Sequence, residues 1–490
     1  MRILPIVLAL VLRVGVLVAD AQTVVVPETP FSGSVSMTAA STVMLDHDSV
    51  LMTYTHNNSV LGAAEFTVVN IDTGATELPA VRLPEGMRVS SAAVLSPVSG
   101  LIVVRDDNAS GGSKGKYFVV NPLTGAIVRG PVPFTSQGTG WEYRIAVVDS
   151  STVLIAHRSN IGLAGVFTVV DPQTGSVKVP EMPFAPSINT VEVATLDAQR
   201  VAIAYGTPGP DFRMSFTVID PQDGHVVRPP EEIEGGGPFA LLPRTLDDVV
   251  IGYYDTEAGD SRYRTLNAVT GALSSPTTFA TGGMFTPAAS LVGANALFIG
   301  FSRPGAAEEA PAQYVLHDID GPQLIPATPF NPEGPSYAMS AVSSGCRTLI
   351  AYMDVPDNQI GKFQVLDFSG VCDPPPCPAN ITDQLELFQS FFVPFFVPEL
   401  QLQLVLMRSR TDQPMAGPFT LVAEDLQNAT MLGSRQTGCS STGPAPSFRL
   451  SAGPDDILSP GEFGGAFVLF LKTGDPIAYR PRVLNGIPQR

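Results

Sequence analysis

A nine-residue phrase recurs along this chain and restricts its fold more than any other feature. It reads FTVVNIDTG at Phe66–Gly74, YFVVNPLTG at Tyr117–Gly125, FTVVDPQTG at Phe167–Gly175, FTVIDPQDG at Phe216–Gly224 and YRTLNAVTG at Tyr263–Gly271. Two shorter copies follow, YVLHDIDG at Tyr314–Gly321 and FQVLDFSG at Phe363–Gly370. Each couples an apolar run to an Asx and then a Gly, a hairpin signature in which the Asx side chain caps its own turn and Gly supplies φ > 0. Copies spaced by roughly 50 residues fall in the size class of propeller repeats.

Each repeat carries a second column upstream of the phrase. It comprises VLMTY at Val50–Tyr54, LIVVR at Leu101–Arg105, VLIAH at Val153–His157, VAIAY at Val201–Tyr205, VVIGY at Val249–Tyr253, LFIGF at Leu297–Phe301 and TLIAY at Thr348–Tyr352. Such short apolar runs suit strands buried on both faces. Before each lies a weaker strand of Ala, Ser and Val, such as SAAVLS at Ser91–Ser96, small enough for a crowded central axis. With the run after the turn, typified by SVKVP at Ser176–Pro180, each repeat supplies four strands, the composition of a propeller blade. The seventh repeat stops at Cys372 without its outer strand, whereas VVVPETPF at Val24–Phe31 matches VKVPEMPF at Val177–Phe184. The N-terminal strand is therefore expected to complete the last blade, which leaves few open edges. The predicted fold class is all-β: a seven-bladed β-propeller over 22–372, closed by the N-terminal strand, then a β-sandwich.

Composition agrees with an all-β chain: 45 Gly and 45 Pro punctuate short apolar runs, and no stretch shows a helical period. The net charge of −18 argues against nucleic acid and against docking on an anionic membrane. Residues 1–21 read as a cleavable leader: Arg2, an apolar run from Ile3 to Val18 interrupted by Arg13, and Ala19-Asp20-Ala21 as a small-x-small cleavage site. The mature chain is expected to be secreted, cell-surface or periplasmic, with no integral membrane segment after cleavage. An even count of four cysteines in an exported chain suggests disulfides. Of three pairings, Cys346–Cys372 within the seventh repeat and Cys377–Cys439 in the tail are favoured. Residues 373–382, DPPPCPANIT, form a stiff linker, and 383–490 alternate in β-runs. Phe388, Phe391, Phe392, Phe395 and Phe396 are read as core of that sandwich.

The FTVVDPQTG phrase resembles the repeats of quinoprotein-like and YVTN-type propellers, over about Val24–Val371. Quinoprotein blades carry a docking tryptophan after the turn, but this chain has a single Trp, Trp141, so no quinone cofactor is expected. The tail resembles an immunoglobulin-like domain of secreted bacterial proteins, through Gly417-Pro418-Phe419, Leu458-Ser459-Pro460-Gly461-Glu462 and Tyr479-Arg480-Pro481-Arg482-Val483-Leu484. That resemblance implies an extracellular accessory module.

Catalytic and metal motifs are missing: no nucleophile elbow, no HExxH, no phosphate-cradling loop and no EF-hand spacing. The five histidines are scattered, and adjacent acidic pairs on strands point opposite ways. No metal and no cofactor are expected. The fifth position of the second column, Tyr54, Arg105, His157, Tyr205, Tyr253, Phe301 and Tyr352, is read chiefly as bulk wedged between blades. The loops just beyond it share a face with the interblade connections, which gathers the candidate ligand residues Asp107, Trp141, Tyr143, His157, Arg158, Tyr254, Arg303 and Asp354. The leading functional expectation is a non-catalytic binding or adhesion protein that holds a polysaccharide or surface-protein partner on a propeller face. The alternatives are a secreted propeller hydrolase or lyase acting on polysaccharide, and a structural surface or filament component.

Overall fold

The computed structural model describes residues 22–33, 36–56, 63–109, 113–135, 139–159, 163–209, 212–233, 235–303, 310–372, 379–395, 397–417, 419–432, 435–437, 445–452, 457–474 and 476–485. Residues 1–21, Cys377 and Cys439 lie outside this set, as does most of the stretch 373–382. Among the described residues, no helix is long and apolar enough to cross a membrane.

Seven antiparallel four-stranded sheets follow one another along residues 23–367. The first comprises Met37–Met44, Ser49–His56, Ala63–Asn70 and Thr76–Arg82; the second, Met87–Ser96, Ser99–Asp106, Lys114–Val120 and Ile127–Pro133. The third comprises Thr139–Asp149, Thr152–Ser159, Gly165–Asp171 and Ser176–Ala185; the fourth, Thr190–Asp197, Arg200–Gly206, Met214–Ile219 and Val226–Ile233. The fifth comprises Pro238–Pro243, Asp248–Asp255, Asp260–Asn267 and Thr277–Thr281; the sixth, Phe285–Val292, Ala296–Ser302, Ala312–Asp318 and Gln323–Asn331. The seventh takes Ser336–Ser344, Arg347–Asp354 and Ile360–Asp367 from one part of the chain and Thr23–Pro30 from its beginning, with Thr23–Pro30 at one edge beside Ile360–Asp367. Thr23 pairs with Asp367 and Pro30 with Lys362, so the N-terminal strand completes that sheet.

The first strand of each sheet packs against that of the next, and the seventh returns to the first, so the sheets stand radially around an axis as in a propeller. Ser and Thr side chains bridge these inner strands. Ser41 Oγ accepts from Ala92 N–H at 3.2 Å, Ser90 Oγ accepts from Tyr143 N–H at 3.0 Å, and Thr195 Oγ1 donates to Val147 O at 2.9 Å. Seven apolar cores, one per junction, hold neighbouring sheets together. The turns follow the sequence logic: Asn70 Oδ1 accepts from Asp72 and Thr73 N–H at 3.0 Å, and Asp171 Oδ1 from Gln173 and Thr174 at 2.8 and 3.2 Å. Gly74, Gly125, Gly175, Gly224 and Gly271 take φ between 71° and 84°, whereas Gly321 and Gly370, in the shorter copies, do not enter that region.

The fifth column position forms an interblade wedge. At five junctions a Phe at or just beyond an outer strand packs on the column ring of the next sheet: Phe31 on Tyr54 at 5.1 Å, Phe134 on His157 at 5.9 Å, Phe184 on Tyr205 at 5.4 Å, Phe279 on Phe301 at 6.0 Å and Phe330 on Tyr352 at 5.1 Å. Glycine makes room for several of these rings; a Cβ at Gly115 would fall 2.5 Å from Phe134, and one at Gly165 2.6 Å from Phe184. A disulfide joins Cys346 and Cys372, whose Cα atoms lie 5.9 Å apart.

In the tail, two sheets share one core that includes Leu385, Val405, Phe419, Leu421, Phe470 and Val483. One sheet runs Ala379–Asn380, Ala478–Asn485, Phe419–Gln427, Ala445–Leu450, Arg435–Thr437; the other runs Leu385–Gln389, Val397–Ser409, Phe463–Lys472, Ala429–Leu432, with Val393–Phe395 also on Val397–Ser409. The expected burial of the Phe cluster needs correction. Phe392 packs on Phe470 at 5.2 Å, but Phe388 is 42% and Phe391 93% exposed: Phe388 pairs in register with Leu406 on the face away from the core, and Phe391 lies beyond the end of that strand. Phe396 and the side chain of Phe395 lie outside the described residues.

Candidate functional site

Two junctions lack the Phe: Ile233 takes its place beside Tyr253 in an apolar core, and Leu83 takes it at the junction of the first and second sheets, where a cavity lies. Leu83 stands where five other sheets place Phe: its N–H donates to Ala64 O as that of Phe134 does to Gly115 O and that of Phe31 to Gly361 O. Its counterpart is Arg105, the only column residue without a ring. A guanidinium is too strongly hydrated to plug an apolar junction, so Arg105 turns to Asp107, with Nε 2.6 Å from Oδ1 and Nη2 2.9 Å from Oδ2. Arg88, its cross-strand register partner, brings Nε to 2.9 Å from Asp107 Oδ2, and Ser113 Oγ donates to Oδ1 at 2.9 Å. Burial alone would raise the Asp107 pKa, but the Arg105 and Ser113 hydrogen bonds and the two guanidinium charges hold it below the usual carboxylate range.

The cavity, about 180 Å³, is bounded by Thr38, Ala39, Thr55, Arg88, Val89, Ser90, Arg105, Glu142 and Tyr143, thus by the first three sheets. Glu142 sits in a register irregularity of Thr139–Asp149 and has φ 72°, a conformation unusual for a side chain larger than Asn and one that concentrates at functional positions. Burial raises its carboxyl pKa, partly offset by the charges of Arg144 and Arg158.

Ser90 also lines a second space of about 200 Å³ on the axis, walled by small inner-strand residues together with Arg144 and Glu192. Arg144 Nε lies 2.8 Å from Glu192 Oε1 across two neighbouring inner strands. Protein surrounds this pair although water reaches it, and burial pushes the Glu192 carboxyl up to about 6 despite the arginine. Two carboxyls with raised pKa values and two arginines thus converge on the third-sheet side of the axis.

The expected ligand residues separate into three groups. Tyr143 lines this cavity, Asp107 binds the two arginines that line it, and Arg158, at the end of Thr152–Ser159, acts electrostatically on Glu142. The side chain of Trp141 lies outside the described residues. Tyr143 and His157 are buried, paired in register with ring centroids 5.5 Å apart, so Tyr143 is a cavity wall and His157 a core group. Asp354 is also interior, bound by Lys362 Nζ at 2.5 Å and Asn331 Nδ2 at 2.9 Å. Tyr254 and Asp354 belong to the fifth and seventh sheets, Arg303 follows a strand of the sixth, and none of the three lines the cavity.

Arg88, Glu142, Arg144 and Glu192 were missed from sequence. The available signal was charge within inner strands otherwise built of Ala, Ser and Val: MRVSSAAVLS, TGWEYRIAVVD and TVEVATLD. Among the described residues, two groupings present ligand atoms within 4.8 Å of one another, Asp46-His47-Asp48 and Asp220-Asp223-His225. Both lie in hairpin connections, where Asp46 and Asp220 already accept backbone N–H groups.

The ring and this charged mouth define the class: an all-β protein containing a β-propeller. No protein-family model matches the chain, and no curated protein matches it. Solved structures similar to it include a prolyl endopeptidase, at 12% identity over 80% of this chain and 55% of that one, TM-score 0.46. This chain therefore spans little more than half the length of that enzyme. Others are the β-propeller domain of the Trilobed protease from Pyrococcus furiosus, at 10% identity over 67% and 94%, TM-score 0.42, and a Dyadobacter fermentans DSM 18053 protein of unknown function, at 10% identity over 71% and 99%, TM-score 0.44.

Proposed function

We propose that the chain is an exported binding protein in which a seven-bladed propeller, followed by an immunoglobulin-like sandwich, holds a polysaccharide or protein partner at the mouth formed by the first three sheets. The observation that carries this reading is the replacement of the aromatic wedge by Leu83 and Arg105, which leaves a cavity with Arg88 and Glu142 at its wall. A cavity of 180 Å³ suits one sugar ring or one side chain of a longer partner. Guanidinium and carboxylate groups fit the in-plane pairs of hydroxyls and carboxylates found on such ligands. In a chain of net charge −18, two arginines at one opening also set a local field of opposite sign.

The test is a pull-down of residues 22–490 on soluble and insoluble polysaccharides, with and without calcium, while released reducing ends are measured. Saturable binding without product, weakened at least about tenfold by Arg88→Ala or Arg158→Ala, is the expected result. Binding unchanged in both variants moves the site elsewhere. A second reading, a hydrolase or lyase acting on polysaccharide, draws on one observation: the raised pKa values of Glu142 and Glu192 near Arg144, which move these carboxyls toward the range of a general acid or base. Reducing ends that appear with the native chain and vanish in Glu192→Gln would establish that reading.

A further inference from the structure

The tail contains a sheet whose outer face is as apolar as a core. Along Val397–Ser409, Gln401, Gln403, Val405 and Met407 point inward and are buried, while Leu400, Leu402, Leu404 and Leu406 share the opposite face. On Phe463–Lys472 the alternation is the same: Val468 and Phe470 are interior, and Phe463, Phe467 and Leu471 are exposed. Register sets Leu404 beside Phe467, Leu402 beside Leu469 and Leu406 beside Phe388.

This orientation is pinned by polar bonds. Tyr479 OH donates to Gln403 Oε1 at 2.7 Å, and Gln403 Nε2 donates to Ser390 O at 3.0 Å. A one-residue slip that turned the leucines inward would break both and strand the glutamine amide on the outer face. The sheet therefore spends its best apolar strand on solvent, which a monomer has no reason to do.

We propose that this face is a two-fold interface through which two copies of this chain associate. Three observations select a second copy over other occupants. The first is area. Phe388, Phe391, Phe463 and Phe467 are 42%, 93%, 53% and 64% exposed. At ~200 Å² for a whole phenylalanine they present about 500 Å², before the leucines are added. That is the upper range for the largest patch on a monomer, and with the leucines it approaches the ~800 Å² per partner of a standard interface. The second is self-complementarity: Glu386 and Arg408 are cross-strand register partners at one end of the face, so it carries one charge of each sign. Arg408 also lies over the Phe463 ring, 5.5 Å from its centroid. The third is the chain's net charge of −18, which disfavours anionic lipid and acidic proteins. Two like copies can meet only through a neutral surface, with the rest of their charge screened beyond a Debye length of about 8 Å. Flat sheets stack face to face at ~10 Å with interdigitated side chains, and this leucine and phenylalanine array has the relief for that. The inference is independent of what the propeller mouth binds.

Sedimentation equilibrium of residues 22–490 across micromolar concentrations tests it. The native chain is expected to be a dimer, and Phe467→Glu or Phe391→Glu to raise the dissociation constant on the order of 100-fold, because each substitution enters a two-fold interface twice. Both side chains already face water, so the fold should survive, as unchanged circular dichroism would record; Phe391, at 93% exposure, guards against misfolding of the other variant. Phe467→Leu should preserve the dimer, and raising the salt concentration should not weaken it. A native monomer at 50 μM, a dimer unaffected by both Glu variants, or a monomer that floats with neutral phosphatidylcholine vesicles would each overturn the proposal.

Discussion

The wedge position of the third sheet makes acid sensitivity a test of the packing. His157 occupies a site that Tyr or Phe fills in five other sheets, and it is 1% exposed among Phe134 and Tyr143. Burial pushes its pKa down from 6.5 to about 4. A base with a depressed folded-state pKa stays neutral in the folded chain while the unfolded chain takes up a proton. Stability is therefore full above pH 6.5, falls as pH drops through the interval from 6.5 to 4, and levels off below it. At 1.36 kcal/mol per pH unit the full span is about 3 kcal/mol, of which about 2 kcal/mol is already lost by pH 5. His157→Phe, which copies Phe301 of the sixth sheet, should remove this component. His317, also buried, has its pKa lowered by burial and contributes in the same sense, so the comparison must be between the native chain and the variant. The assay is the urea midpoint of each at pH 7 and pH 5. The native chain should lose about 0.5 M more than the variant, taking a urea slope of a few kcal/mol per molar. Equal losses would show that His157 is charged or solvated in the folded state and that the junction is not packed as described.

The remaining two expectations concern stability. Phe184→Ala, which empties the space between Tyr205 and Gly165, should cost about 3–5 kcal/mol, whereas Phe391→Ala should change stability by less than about 0.5 kcal/mol; similar values in chemical denaturation would refute the assignment of core and surface. Replacing Cys346 and Cys372 together by Ser releases a link across 26 residues and should cost about 3 kcal/mol, read as a lowered thermal midpoint; an unchanged midpoint would mean that the bridge does not constrain the unfolded chain.

Much of the ring was legible because its determinants are local. Asn70 and Asp171 cap turns with their own side chains, and Gly74 and Gly175 follow at the required φ, so a few residues specify each hairpin. The match of Val24–Phe31 to Val177–Phe184 likewise carried the closure, since a strand's partner is encoded by its repeat position. The mouth was harder to read. Arg88, Arg105 and Glu142 meet because three sheets converge on an axis, and no spacing along one strand reports that convergence. The tail shows a different limit. Alternation in LQLQLVLM shows which residues share a face, but not which face is buried, and hydrophobicity alone would turn its leucines inward. The amide bonds of Gln403 decide the matter, and their partners Tyr479 and Ser390 are distant or unremarkable in sequence.

The strand Thr23–Pro30 has its partner, Ile360–Asp367, some hundreds of residues downstream. During synthesis at ~5–20 residues per second it must wait on the order of half a minute before that partner exists. Six sheets can form from neighbouring sequence in the meantime, but the seventh cannot, and Ile360–Asp367 keeps an open edge until the oldest strand arrives. The ring is thus sealed last by its first-made part. A chain cut short anywhere before residue 360 leaves that first strand unmatched and the ring open.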